Sequence, residues 1–175
     1  MKKSIVLLVL FLFFLQSCTS QIYMQPQDLA NVVQTKEFVF VAKRANPTNY
    51  AVINSINAIP NATATRVLDL DNGYGISFKK NEISVVLPYF GRSYQAPINT
   101  DQVSFRFVSK DFSMTQSSGK KNKTVFTIVP NDVRTISKIY IEIYPSGSAM
   151  VSIDSNDRQP ISYDGYIEKL PTEKK

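Results

Sequence analysis

Lys138-Ile139-Tyr140-Ile141-Glu142-Ile143-Tyr144-Pro145-Ser146-Gly147-Ser148-Ala149-Met150-Val151-Ser152-Ile153 is the stretch from which the fold is read. Ile139, Ile141 and Ile143 share one face of an extended chain, the period of two that marks a strand with one buried side. Pro145-Ser146-Gly147 is turn chemistry, and the extended pattern resumes from Ala149 to Ile153. Outward from this pair the same grammar recurs. Residues 161–168 read as a last strand, and residues 123–129 as one entered through the turn Gly119-Lys120-Lys121-Asn122. Residues 112–116 form a weaker strand. In residues 102–108, Val103, Phe105 and Phe107 alternate with Ser104 and Arg106.

Further upstream, residues 66–70 and 74–79 flank Asp71-Asn72-Gly73, and Asn-Gly is a strong hairpin signal. Lys80-Asn81 turns the chain into residues 82–87. Residues 37–43 carry Phe38 and Phe40 on one face, and Asn46-Pro47 marks residues 44–49 as a loop. Residues 50–63 scatter Ile and Asn with no clean period. Ahead of these strands Leu29, Val32 and Val33 share one helical face, with Asp28 placed to cap a short helix over residues 28–36. About ten strands at spacings near 8 to 12 residues predict a mainly β, antiparallel barrel or sandwich with one short N-terminal helix.

Composition agrees. From residue 18 onward the chain holds 15 Ile and 14 Val but only 5 Leu, with 8 Phe and 9 Tyr. β-Branched and aromatic residues suit a half-buried pleated surface, whereas helical proteins lean on Leu and Ala. The 175 residues suit a single domain with a normal core. The chain has no His, no Trp and one Cys. Ser-His-Asp and Cys-His catalysis, His-bearing zinc sites and intrachain disulfides are therefore excluded.

The N-terminus carries an address. Met1-Lys2-Lys3 precedes an unbroken apolar run from Ile5 to Leu15. Eleven residues of helix span about 16 Å, half a bilayer core, so the run fits an export signal rather than a membrane span. Leu15-Gln16-Ser17-Cys18 then resembles the bacterial lipobox, in which the small Ser17 admits the peptidase and the Cys18 thiol receives lipid. Cleavage between Ser17 and Cys18 divides the chain into a signal peptide over residues 1–17, a polar tether over 18–27, a β-rich domain over 28–170 and a charged tail over 171–175. Lipid on Cys18 makes the membrane its first partner. No acidic residue follows Cys18 before Asp28, unlike the acidic surface-export signal of some bacterial lipoproteins, so the expectation is an outer-membrane lipoprotein facing the periplasm. Removing residues 1–17 lowers the formal charge from +6 to +4 (18 minus 14), modest for a nucleic-acid binder, and export argues against that partner too.

Leu87-Pro88-Tyr89-Phe90-Gly91-Arg92 is followed by Tyr94 and Ala96-Pro97; near the C-terminus stand Ser155-Asn156-Asp157-Arg158, Ile161-Ser162-Tyr163 and Gly165. With Phe40-Val41-Ala42 and Asn46-Pro47, this set resembles the Bacteroidota lipoprotein family catalogued as domain of unknown function 4251. The resemblance spans roughly residues 37–167. It implies a lipidated envelope protein with an N-terminal helix and an antiparallel, lipocalin-like β-barrel, and it implies no activity. From the residues themselves, Pro88 ends its strand, Gly91 permits a positive φ, and Tyr89 and Phe90 cover one end of the core. The functional alternative places Tyr89, Arg92 and Arg158 around a barrel mouth, where cations and phenols could hold an anionic ligand.

Other candidates weaken on inspection. Asp69-Leu70-Asp71-Asn72-Gly73 suggests a calcium loop, but the twelfth position is Lys80 where a bidentate Glu is needed. Asp154-Ser155-Asn156-Asp157 reads first as a turn, and Lys120-Lys121-Asn122-Lys123 as a solvated basic turn. Asn61-Ala62-Thr63 and Asn122-Lys123-Thr124 are glycosylation sequons only in a eukaryotic secretory setting. No phosphate loop and no Gly-x-Ser-x-Gly elbow is present. The sequence thus predicts no catalytic residue, metal or cofactor. The leading expectation is a non-enzymatic module that binds a small apolar or amphipathic envelope molecule. Its competitor docks an envelope protein through a strand edge or loop, and a carboxylate-dependent hydrolase stands third.

Overall fold

The computed structural model describes residues 21–94 and 104–171. In chain order these form α1 (Pro26–Thr35), β1 (Phe38–Pro47), α2 (Tyr50–Asn57), α3 (Ala64–Leu68), β2 (Gly75–Lys79), β3 (Glu82–Pro88), β4 (Ser104–Ser109) and β5 (Phe112–Ser118). A short 3₁₀ turn, Lys120–Asn122, leads into β6 (Thr124–Pro130), β7 (Ile136–Ile143), β8 (Ser148–Ser155) and β9 (Ile161–Glu168). The stretch quoted first behaves as read. Ile139, Ile141 and Ile143 are buried, and β7 pairs with β8 around a turn in which Gly147 takes φ +82°.

The nine strands make one antiparallel sheet in the order β4-β3-β2-β1-β9-β8-β7-β6-β5. An odd number of antiparallel strands leaves the first and last, β4 and β5, running in the same direction. Only Lys110 and Asp111 separate them. They are two halves of one bent strand, the first hydrogen-bonded to β3 and the second to β6. This closes the sheet into a nearly complete up-and-down barrel of eight walls, the geometry whose bore is just wide enough for side chains to fill. Asp132 holds the bend. Its carboxylate accepts from the Ser109 hydroxyl and from the backbone N–H of Lys110 (2.8 Å) and Asp111 (3.2 Å). These bonds, the Ser109 hydroxyl foremost, keep the Asp132 carboxyl below its ordinary range.

The bore is packed. Phe38 of β1 lies 4.7 Å from Phe78 and 5.9 Å from Phe126, ring centre to ring centre, and β6 is the wall opposite β1. Phe40, Ile76, Ile83, Val85, Ile128, Val151 and Ile153 are all fully buried around them. The lipocalin-like architecture is therefore present with side chains in the place of a central cavity.

Local expectations are corrected at three places, and a stretch with no clean period is found to hold a helix. Residues 66–70 are not a strand: α3 occupies Ala64–Leu68, started by Thr63, whose hydroxyl accepts from the Arg66 N–H, and by Asn57, whose amide oxygen accepts from the Ala64 N–H (2.7 Å). Asp71-Asn72-Gly73 consequently joins a helix to β2 and makes no hairpin, although Gly73 does take φ +105°. The loop expected over residues 44–49 is mostly strand. β1 continues to Pro47, and the register shift between Ala42 and Arg44 lets Ala42 and Ala45 both face the core. In residues 50–63, α2 is capped by Asn49, whose side chain accepts from the Ala51 N–H, and it buries only Ile56. Finally, α1 starts at Pro26, two residues before the expected start. Proline suits a first turn because its missing N–H has no helical partner there. Asp28 is thus not the cap but a first-turn acid, paired with Lys169 at 2.8 Å.

Candidate functional site

The two ends of the barrel carry the residues of interest. At the end where β3 stops and β8 turns into β9, Arg158 is 6% exposed and buried between rings. Its guanidinium stands 5.1 Å from the centre of Tyr89 and 5.0 Å from that of Phe105. Asp157 grips it in a fork, Nε to Oδ1 at 3.0 Å and Nη2 to Oδ2 at 2.8 Å. Among the described residues Nη1 has no hydrogen-bond partner. The two ring faces offset part of that desolvation cost. The Arg158 hydrogen bond holds the Asp157 carboxyl below its ordinary range.

The Tyr89 phenol donates toward the carbonyls of Arg92 (2.9 Å) and Gln159 (3.1 Å), and Tyr163 donates to the Pro88 carbonyl at 2.7 Å. Burial pushes both phenols above their ordinary range, Tyr163 furthest. The structure thus brings Tyr89 and Arg158 together, while Arg92 contributes its carbonyl and leaves its side chain exposed. Gly91 is needed for space, not for a positive φ, because a Cβ there would collide with the Tyr89 ring. What the cluster does chemically is hold the end of the barrel shut. Ser17 and Cys18, the cleavage and lipidation residues, lie outside the described residues.

The opposite end is covered by α1. Leu29 and Val32 are buried beneath the helix, and just ahead of it Met24 is buried too. Tyr23 stacks on Tyr166 at 4.7 Å and its N–H donates to the Ser146 carbonyl at 2.8 Å. The second half of the segment read as a tether is therefore laid against the barrel.

Between α1 and the rim lies a groove of about 620 Å³. Leu29, Ala30 and Val33 form its helical side, Ile143, Tyr144 and Gln116 much of its barrel side. The volume falls in the ordinary range of small-molecule sites, about 300–1,000 Å³. A larger concavity of about 920 Å³ on the outer wall is lined by Glu37, Lys79, Lys80, Glu82 and Lys110 among others. Three lysines there meet two carboxylates, with Lys110 and Glu82 3.7 Å apart, so this concavity is charged along its lining.

Among the described residues no charged one lines the groove. Sequence reading missed it because its two sides come from segments far apart in the chain, residues 26–34 and residues 116–145. The one local hint was that the apolar stripe of α1 continues to Val33, which the barrel only partly buries. Among the described residues no helix is long and apolar enough to cross a membrane.

The sequence model of the family described as domain of unknown function (DUF4251) matches residues 21–167. Among solved structures, the crystal structure of a DUF4251 family protein from Bacteroides eggerthii is similar, with 14% sequence identity and a TM-score of 0.50. The similarity covers 82% of this chain and 87% of that one. At this identity the likeness concerns the fold. No curated protein matches the chain.

Proposed function

The chain belongs to the DUF4251 family, and from that premise we propose that it is an outer-membrane-anchored, non-enzymatic module that binds a small amphipathic envelope molecule under α1. The observation that carries this reading is the groove: apolar along Leu29, Val33 and Ile143, edged by the amides of Gln34, Gln116 and Asn122, and bounded by a helix seated through Leu29 and Val32. The packed bore moves the ligand from the barrel interior, where a lipocalin-like fold would first place it, to the rim. Attachment through lipid on Cys18 supports the same reading, because it would keep the groove beside a membrane that holds such molecules.

Native mass spectrometry of the membrane-extracted protein is the test. The expected result is a retained small molecule that Val33→Trp, which fills the groove, displaces. A bare mass for both proteins would overturn the reading. Cys18→Ala is expected to release the domain into the soluble fraction, and continued membrane attachment would refute lipidation there.

A second reading has its own observation. Among the described strands, β4 pairs only with β3 and β5 only with β6, and Val108 of β4 is 51% exposed. Such edges can accept an extended segment of another envelope protein. Proximity cross-linking at residue 108 that captures one defined protein would favour this reading over the groove.

A further inference from the structure

Among the described residues the lining of the groove contains no charge, but the turn that forms one lip carries two lysines next to it in sequence. Asn122 and Thr124 line it, and the 3₁₀ turn that carries Asn122 begins Lys120-Lys121. Lys121 and Asn122 both take left-handed backbone conformations, φ +60° and +55°, and both lysines are exposed. Neither forms a salt bridge with a described residue. Lys123 beside them is different: it is 2.6 Å from the Glu142 carboxylate, to which the Tyr144 phenol also donates. That carboxylate is therefore already engaged by its own cation and phenol. Asp28, the acid on α1, is engaged with Lys169. An apolar trough thus ends at a turn whose first two residues are exposed cations with no salt bridge to a described carboxylate.

We propose that the groove selects an anionic single-chain amphiphile. Its alkyl chain lies along Leu29, Val33 and Ile143, and its carboxylate or phosphate head stands beside Lys120 and Lys121. Charge complementarity singles out this occupant, since a neutral amphiphile would gain nothing from the lysines. The inference rests on the groove reading above and adds the head-group chemistry to it.

The test adds three probes in turn to the membrane-extracted protein and follows retention by native mass spectrometry: palmitate, palmitoyl-lysophosphatidylglycerol and neutral monopalmitoylglycerol. The anionic probes are expected to be held more tightly than the neutral one. The double variant Lys120→Gln/Lys121→Gln should remove that advantage, on the order of tenfold for two exposed cations, and 0.5 M salt should shrink it. Whichever anionic probe is held more tightly identifies the head as carboxylate or phosphate.

If all three probes bind equally and the double variant changes nothing, the inference fails and the groove reading stands. If none binds, or Val33→Trp leaves retention unchanged, the groove reading itself fails. If the double variant weakens association with phosphatidylglycerol vesicles but not palmitate retention, the basic turn serves the bilayer surface and the inference is overturned.

Discussion

At one end of the barrel Arg158 lies between two aromatic rings and against the Asp157 carboxylate; at the other, a ten-residue helix rests on the rim through Leu29, Val32 and an exposed ion pair. Both ends are closed, but by bonds of different kinds. The Arg158 end is a buried polar network in which each partner would be left desolvated by the loss of another, so it opens only when the barrel does. The helix end depends on a modest apolar face and on contacts already open to water, the kind of element that opens locally at low cost. A binding site at the rim is therefore expected on the second side.

Substitutions can break this comparison. Arg158→Ala is expected to have the largest effect, about 3–5 kcal/mol in urea unfolding, because it strands Asp157 and empties the space between Tyr89 and Phe105. A loss below about 1 kcal/mol would show that this end is not locked by the pair.

Acid should probe the same end. The folded-state pKa of Asp157 lies below the ordinary carboxylate value of 3.8, as does that of Asp132 at the strand bend. Their contribution is thus complete above that value and is lost as pH falls through the lower folded values. Asp157→Asn is expected to flatten the acid limb of the stability curve, and an unchanged limb would refute the assignment.

Leu29→Ala should cost about 2 kcal/mol, with amide exchange in α1 accelerating more than in β7 or β8. Uniform acceleration across the barrel would mean that the helix is not an independently opening unit. Asp28→Asn, which removes only the exposed pair with Lys169, should cost at most about 0.5 kcal/mol and nothing in high salt. A larger, salt-insensitive loss would make the helix end as firmly bound as the other.

How much of this was legible depends on how each signal is encoded. The strands with strict alternation, β3 throughout and β7 from Ile139 to Ile143, could be read directly because one face is buried along those residues. The two helices before β2 could not. α2 buries one residue and α3 is a single turn started by Thr63 and Asn57, so neither carries a period long enough to see. β1 was read short because a register shift breaks its alternation at the position where Asn46-Pro47 suggests a loop. Tyr89 and Arg158 could be named from the sequence, but their mutual contact, 69 residues apart in number, could not. The groove required the three-dimensional seating of α1.

One feature of the barrel sets where its two chain ends lie. Because β4 and β5 count as a single wall, the meander has an even number of walls, and its start and finish fall on the same rim. β1 begins and β9 ends there, on the rim that α1 covers, where Lys169 pairs with Asp28 of the helix. From Cys18 to the helix start only the seven residues 19–25 intervene, at most about 25 Å of extended chain. A lipid on Cys18 would therefore tether the molecule rim-first, presenting the groove to the bilayer surface and pointing the Arg158 end away from it.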